Sequence, residues 1–352
     1  MFRYLFIVVF TLLFAKDLAG QKLIFGQVTD GSTQEVLPYV NVYINNSTIG
    51  TNTNERGDYS LKIPGGKYEL VFSSVGYLSK KLPVSVASAD TFKLDIKLMP
   101  MQKHLQTVTI EGSPDKEWEK LIKQFNRVFL GDTKSASSCV IKNDWCIDLT
   151  SQRMGGKKIL IARATQPLEI ENFSLGYKII YELLNFSSAE ENVRFSGNVY
   201  FIELKPKDES QAEHWFRNRM DSYKGSLRHF FNSILTNKVT EEGFELVKCR
   251  LLSDGKLKEV GPYKPSAIRL DSLKGGFRIW LPNVIQIIYE NPSEPNTQLQ
   301  GTILNGKGYM DVDDSGMLLD PLAVTITGYL GVFRVADLLP DNYRPNVSGT
   351  NN

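Results

Sequence analysis

Between Gly26 and Tyr77 the chain alternates short strand signals with turn residues, and this spacing dictates a small two-sheet β-structure rather than a helical domain. Val40, Val42 and Ile44 alternate with Asn41, Tyr43 and Asn45, the period-two signal of a strand with one buried face. Further strands are expected at Tyr59 to Ile63 and at Tyr68 to Ser73. The segments between them, Asn54 to Asp58 and Pro64 to Lys67, carry glycine, which supplies positive φ, and proline, which removes a ladder donor.

The pieces Gly26-Gln27-Val28-Thr29-Asp30, Leu37-Pro38-Tyr39-Val40-Asn41-Val42-Tyr43-Ile44, Gly50-Thr51-Asn52-Thr53, Gly57 and Val75-Gly76-Tyr77 follow one another in a familiar order. In order and spacing this stretch, from Lys22 to Leu98, resembles the carboxypeptidase-regulatory-like domain that begins many Bacteroidetes envelope proteins. The resemblance implies an all-β prealbumin- or immunoglobulin-like sandwich of about seven strands over residues 22–99 and an envelope address. In that family the domain often precedes the plug of outer-membrane receptors, and Leu105 to Ile110, within a linker at 100–112, is similar to the strand that bridges to such a plug. Residues 113–345 are far too few for the many-stranded barrel of those receptors.

Arg3 stands ahead of an apolar run from Leu5 to Phe14, and Ala19-Gly20 precede Gln21, so residues 1–20 read as a secretory signal peptide. The run is about half of what a bilayer crossing needs, and Gln21 stands where a lipoprotein would need cysteine. The expected mature chain is therefore exported, to the periplasm, outer membrane or cell surface, with no transmembrane segment and no lipid anchor. Residues 346–352 are polar and read as a disordered tail. Charge is nearly balanced, 41 Lys and Arg against 39 Asp and Glu, and no Lys/Arg run or nucleic-acid motif points to DNA or RNA. Three cysteines, Cys139, Cys146 and Cys249, are too few for a disulfide scaffold. Two arrangements stay open: buried free thiols, or a Cys139–Cys146 bridge across a hairpin turning at Lys142-Asn143.

The second part opens with a helix written by Ser113 as N-cap, Pro114 at the first position and Asp115 in the first turn. Trp118, Leu121, Ile122, Phe125, Val128 and Phe129 mark its buried face, and Gly131 its end. Strands are expected at Lys158 to Ala164, Leu168 to Asn172, Tyr177 to Asn185, Val193 to Leu204, Phe244 to Leu252, Gly276 to Leu281, Val284 to Tyr289 and Leu322 to Thr327, with a bulge at Gly197. The order is mostly β with two main helices, so residues 113–345 read as an α+β domain on largely antiparallel sheet.

A second helix is expected from Gln211 to Thr236, with Trp215, Phe216, Met220, Tyr223, Leu227, Phe230, Phe231, Ile234 and Leu235 as its apolar stripe. Arg219 falls inside that stripe, between Trp215 and Tyr223 at helical i, i+4 spacing, so its guanidinium is placed to lie between two rings. Its counter-charge is sought among Glu169, Glu171 and Glu203. Trp215, Arg219, Tyr223 and His229 are the candidate binding residues; the competing reading makes Arg219 a structural staple between helix and sheet. The segment from Trp215 to Phe230, Asn172 with Leu175-Gly176-Tyr177, and Asp337-Leu338-Leu339-Pro340 also resemble motifs of uncharacterised Bacteroidetes proteins that carry the same N-terminal domain.

Catalytic signals are thin. His104, His214 and His229 lack the spacing of a zinc carboxypeptidase, and Ser226 with His229 lacks a nucleophile elbow. No cofactor is expected. Asp311, Asp313 and Asp314 begin like a calcium loop, but the twelfth position is Leu322, and a hairpin turn is the preferred reading. Three function classes follow. The first is a non-enzymatic envelope protein whose sandwich docks on a partner protein or stiffens an assembly. The second is a glycan- or peptide-binding module, with some of Tyr39, Tyr43, Tyr59 and Tyr77 as a stacking platform. The third is a hydrolase with a site around Arg219 or His229.

Overall fold

The computed structural model describes residues 22–86, 91–101, 116–189, 192–292 and 300–345. The expected signal peptide, the linker from Gln102 onward, His104, the cap at Ser113-Pro114-Asp115 and the polar tail lie outside these residues. The chain divides into two compact units, Met1–Thr109 and Ile110–Asn352.

Among the described residues the first unit holds nine strands: β1 Lys22–Asp30, β2 Asn41–Ile44, β3 Gly50–Asn52, β4 Asp58–Ile63, β5 Gly66–Ser73, β6 Tyr77–Leu78, β7 Lys80–Val86, β8 Thr91–Lys93 and β9 Ile96–Pro100. One sheet runs β4-β1-β9-β6 with β8 beside β1, and the other runs β3-β2-β5-β7. Strand β1 pairs parallel with β8 and β9 and antiparallel with β4. Ile24, Val28, Leu61, Ile63, Ile96 and Leu98 of the first sheet share one core with Val42, Ile44, Leu70, Phe72 and Val86 of the second, which makes the unit a sandwich.

Two of the four tyrosines are sealed in the core, while Tyr39 is 66% exposed. Tyr43, expected on the outer face of β2, is 1% exposed, and Tyr59 is 4% exposed with its ring edge-on to Phe72. The Tyr59 hydroxyl donates to Leu94 O at 2.7 Å, and that of Tyr77 donates to Asp30 Oδ2 at 2.8 Å. Aromatic rings that carry a hydroxyl pack well where the rim of a sandwich supplies an acceptor, and that is where two of these rings are spent.

The second unit begins with α1 Lys116–Leu130 and a single turn, α2 Lys134–Ser137. Six strands follow: β10 Cys139–Ile141, β11 Ile147–Met154, β12 Lys157–Ala164, β13 Leu168–Asn172, β14 Tyr177–Ala189 and β15 Asn192–Glu203. Two helices, α3 Glu209–Tyr223 and α4 Leu227–Leu235, precede β16 Phe244–Leu251, β17 Leu257–Pro262, β18 Arg269–Leu273, β19 Gly276–Trp280, β20 Val284–Tyr289, β21 Gln300–Asn305, β22 Tyr309–Val312 and β23 Thr325–Gly328. The sheets run β10-β13-β14-β12-β11 with β15 beside β14, then β17-β16-β20-β21-β23, then β18-β19-β22, and every pairing is antiparallel.

This α+β unit contains two hydrophobic clusters. In the first, Leu121, Ile122, Phe125 and Phe129 of α1 lie on Leu160, Ile170, Ile179, Tyr181 and Phe201 of the six-stranded sheet. In the second, Phe230, Phe231 and Ile234 of α4 meet Phe244, Ile279, Ile285, Ile287 and Leu304. The strand expected at Leu322 starts only at Thr325, because Pro321–Ala323 form a tight turn capped by Asp320, whose side chain accepts from Leu322 N–H. Strands β10, β11, β17, β18, β21 and β22 lie where no strand was expected.

The bulge lies one strand away from Gly197. Pairing of β14 with β15 slips between Leu183 and Asn185, which makes Leu184 the extra residue and leaves Gly197 opposite Leu183. Gly197 is glycine because a Cβ there would collide with Glu182 O and the Tyr181 ring. Gly197→Ala is expected to cost about 1–3 kcal/mol by overpacking and to lower the melting temperature by several degrees, read by circular dichroism. An unchanged melting temperature would contradict this account of the strand crossing.

Candidate functional site

The helix expected from Gln211 to Thr236 is interrupted, and the interruption organises its surroundings. The Asp208 carboxylate starts α3 by accepting from Gln211 N–H at 2.8 Å, and the Ser226 hydroxyl starts α4 by accepting from His229 N–H at 3.1 Å. Between them Gly225 has φ 72°, which a helix does not allow, and its backbone faces the Tyr289 ring so closely that no Cβ fits. Ser226 is thus a helix cap and not a nucleophile aimed at an imidazole.

Trp215 and Arg219 both grip the turn between β13 and β14. The Trp215 indole N–H donates to Phe173 O at 2.8 Å. Arg219 Nε donates to Leu175 O at 2.7 Å, Nη2 to Gly176 O at 3.3 Å and Nη1 to Glu203 Oε1 at 3.3 Å. The guanidinium carbon lies 4.0 Å from the centre of the Tyr177 ring. Its aromatic partner is therefore Tyr177, not Trp215 or Tyr223, because the turn comes between the helix and its own neighbours. Glu203 is the counter-charge; Glu169 pairs with Lys178 at 2.7 Å and Glu171 with Lys142 at 3.7 Å. The turn itself is shaped by Asn172, fully buried, whose Oδ1 accepts from Ser174 N–H and Leu175 N–H and whose Nδ2 donates to Ala336 O at 2.8 Å.

Tyr223 and His229 face each other across the helix break, with ring centres 5.0 Å apart, and Phe244 and Tyr289 close round the imidazole. His229 Nδ1 accepts from Gly225 N–H at 3.0 Å, which leaves the proton on Nε2, 3.2 Å from Glu242 Oε2. Burial holds this imidazole below its ordinary proton affinity, with Glu242 opposing part of the effect. The exposed His214 lies beside Asn218, 3.1 Å from Nε2 to the amide nitrogen.

Arg228, one residue before His229, drew no attention in the sequence and is the more consequential side chain. It is 7% exposed. Nη1 donates to Pro340 O at 2.9 Å, Nη2 to Asp341 O at 2.7 Å and Tyr343 O at 2.9 Å, and Nε to Ser315 O at 3.4 Å. Five donors in a rigid fork suit a nest of carbonyls, and the segment that supplies it holds the Asp337-Leu338-Leu339-Pro340 motif just upstream. Asp337 in turn accepts from the Thr133 hydroxyl at 2.9 Å, and burial raises its pKa.

The remaining chemical candidates are occupied in the same way. All three cysteines are free thiols, and burial, with Asp337 nearby, pushes Cys139 up to about 12, far from a thiolate nucleophile. Asp311 is held by Arg278 through both oxygens at 2.7 and 2.8 Å. Asp313 Oδ1 accepts from Ser315 N–H, the Ser315 hydroxyl and Met317 N–H, so the acidic loop is a tight hairpin turn, and Asp314 is exposed at its tip. Among the described residues no group of three or more His, Cys, Asp or Glu is placed to hold a metal.

Unspent polar groups gather elsewhere, in an open groove of about 370 Å³ where the end of α1, α2 and β10 meet. Asn126, Arg127, Asp132, Val140 and Asp144 line it. The Asn126 Oδ1 is buried there without a donor, and Arg127, Asp132 and Asp144 enter no ion pair among the described residues. Beside Asp144, Trp145 is 70% exposed on a turn that Asn143 pins by donating to Pro167 O and accepting from Glu169 N–H. Nothing in the local pattern distinguished this tryptophan from core residues. Neither Arg219 nor His229 lines this groove or the similar depression of about 390 Å³ near Lys238 and Lys264.

Two outcomes follow. Arg228→Met is expected to strand four carbonyls and to cost about 3 kcal/mol or more, with residues 338–345 becoming sensitive to limited proteolysis, and Arg228→Lys, lacking the fork, rescues only part of this. Equal proteolytic resistance of wild type and Arg228→Met would refute the assignment. For His229 the folded imidazole binds its proton less tightly than the unfolded one, so stability is full above about pH 6.5 and declines as pH falls from there. In melts at pH 7 and pH 5, His229→Gln should flatten that slope; an unaltered slope would remove His229 from the account.

Residues 24–110 match the family model of the CarboxypepD_reg-like domain. No curated protein matches the chain. Similar solved structures include a DUF3823 family protein from Bacteroides ovatus, at 11% identity over 53% of this chain and 82% of that one, with a TM-score of 0.19. A proposed carbohydrate-binding protein from Bacteroides uniformis matches at 10% identity over 87% and 98% of the two chains, with a TM-score of 0.20. A proposed membrane-associated protein of unknown function from Bacteroides fragilis matches at 10% identity over 88% and 94%, with a TM-score of 0.20. Likeness this slight carries no argument about function. The β-sandwich at the start of this chain is a CarboxypepD_reg-like domain.

Proposed function

We propose that this chain is an exported, non-enzymatic protein of the cell envelope that works by binding, with the sandwich docking on a partner protein. The observation that carries the reading is an apolar face at an open sheet edge. Strand β6, two residues long, ends its sheet, and Leu78 lies directly opposite Met99 on β9. Met101 N–H donates to Gly76 O and extends the same face, and Val75 lies in the turn just before β6. The four side chains are between 41% and 66% exposed. Apolar surface at a short edge strand is what a protein partner covers, by side-chain burial and by strand addition. The absence of a reaction in this reading is supported by how Arg219, His229, Asp337 and Cys139 are used, each inside packing.

A second reading, glycan binding, is favoured by Trp145 and the groove of the second unit. An exposed indole stacks on the C–H face of a sugar ring, and the neighbouring carboxylates and amide suit its hydroxyls. Affinity capture from envelope extracts with the purified chain, read by mass spectrometry, separates the two. Leu78→Asp/Met99→Asp is expected to lose the captured protein by about tenfold or more at unchanged melting temperature, while Trp145→Ala leaves capture intact. Capture that survives the double substitution sinks the docking face. Retention on immobilised oligosaccharides that Trp145→Ala abolishes would put the glycan reading first.

A further inference from the structure

The hairpin of β16 and β17 has surface on both faces that the fold does not use. No residue of β17 is buried, and β17 is the end strand of its sheet. Leu251 stands directly opposite Leu257, at 49% and 46% exposure, and Leu252 and Val260 are exposed at 38% and 54%. One step along the ladder Arg250 stands opposite Lys258, and neither has an anionic partner among the described residues. Because side chains alternate, the leucine pair and the cation pair lie on opposite faces of the same ribbon. The stretch from Lys248 to Lys264 holds five cations (Lys248, Arg250, Lys256, Lys258 and Lys264) against Asp254 and Glu259, in a chain whose formal charge is only +2. Asp254, at the turn, is already paired with Lys256 at 3.4 Å.

Like charges placed opposite each other in a ladder repel, and exposed leucine pairs cost solvation, so both features are unfavourable for the isolated chain. An external surface that accepts apolar and cationic groups together relieves both. A folded partner covers one face of a thin ribbon; a fluid lipid interface surrounds both, taking leucine at the acyl boundary and the cations among headgroups. We propose that the β16–β17 hairpin dips into an anionic lipid leaflet, led by Leu251, Leu252 and Leu257 and held by Arg250, Lys258 and Lys248. This contact is separate from the edge of the sandwich and from the groove beside Trp145, and holds whichever of those binds.

The test is co-sedimentation of the full chain and its variants with vesicles of phosphatidylcholine alone or mixed equally with phosphatidylglycerol; the N-terminal segment is common to all samples. The expected result is preferential partition to the anionic vesicles, weakened by salt, and reduced by about tenfold or more in Arg250→Glu/Lys258→Glu and again in Leu251→Ser/Leu257→Ser, with unchanged circular dichroism. These side chains are exposed, so the substitutions spare the fold. Equal binding of wild type and both variants overturns the proposal. So does loss with the charge reversal alone, which marks adhesion without insertion, and so does retention on a polyglutamate resin without vesicle binding, which marks an acidic protein as the partner.

Discussion

A buried guanidinium hydrogen-bonded to backbone carbonyls, with Asp341 and Asp313 within electrostatic reach, holds the second unit together. Arg228 sits on α4, whose phenylalanines build the cluster around β16, β19 and β20, yet its donors end on Pro340, Asp341 and Tyr343. The segment just before those carbonyls contributes Val335, Ala336 and Leu339 to the other cluster, beneath α1. Together with the Tyr223–His229 contact, the Arg228 side chain ties the two cores, and it does so chiefly through backbone oxygens, whose dipoles offset the cost of burying its charge. Asn172 and Asp337 secure the same segment from the far side, the first through Ala336 O and the second through Thr133.

This arrangement shows how residue types common in active sites are used within the fold here. Arg219 fixes a helix to a turn, His229 fills the gap left by a broken helix, and Asp337 caps the segment that joins the cores. Each is satisfied by its neighbours, and a group already satisfied has little left with which to bind or activate a substrate. Unused chemistry lies at the periphery: at the sandwich edge near Leu78, in the groove beside Trp145 and along the β16–β17 ribbon.

Much of the framework was legible because it rests on periodicity. The bounds of β13 follow from its apolar–polar alternation and those of β20 from its apolar run, and the buried face of α1 appears as written, with Leu121, Ile122, Phe125 and Phe129 all under 10% exposed. What escaped has a common physical cause. Strands β17 and β18 bury too little to leave a pattern, and the break at Gly225 was overridden by an apolar stripe that continues across it. Tyr177 as the partner of Arg219 required knowing that a turn intrudes between helix neighbours. Arg228 was invisible because three of its four acceptors are carbonyls more than a hundred residues away, and every residue type carries a carbonyl.

The segment from Val335 to Tyr343 also sets an order of events. The six-stranded sheet and α1 are complete in sequence by Glu203, but their cluster is closed by residues from the other end of the unit. A chain emerging from its N-terminus makes the first half of this unit well before the piece that seals it, and until then apolar surface from α1 and the sheet stays open. The sandwich, whose core is drawn from its own residues, has no such wait. The two units thus differ in kind during synthesis: one able to form as it appears, the other obliged to remain unfinished until residues 335–343 arrive.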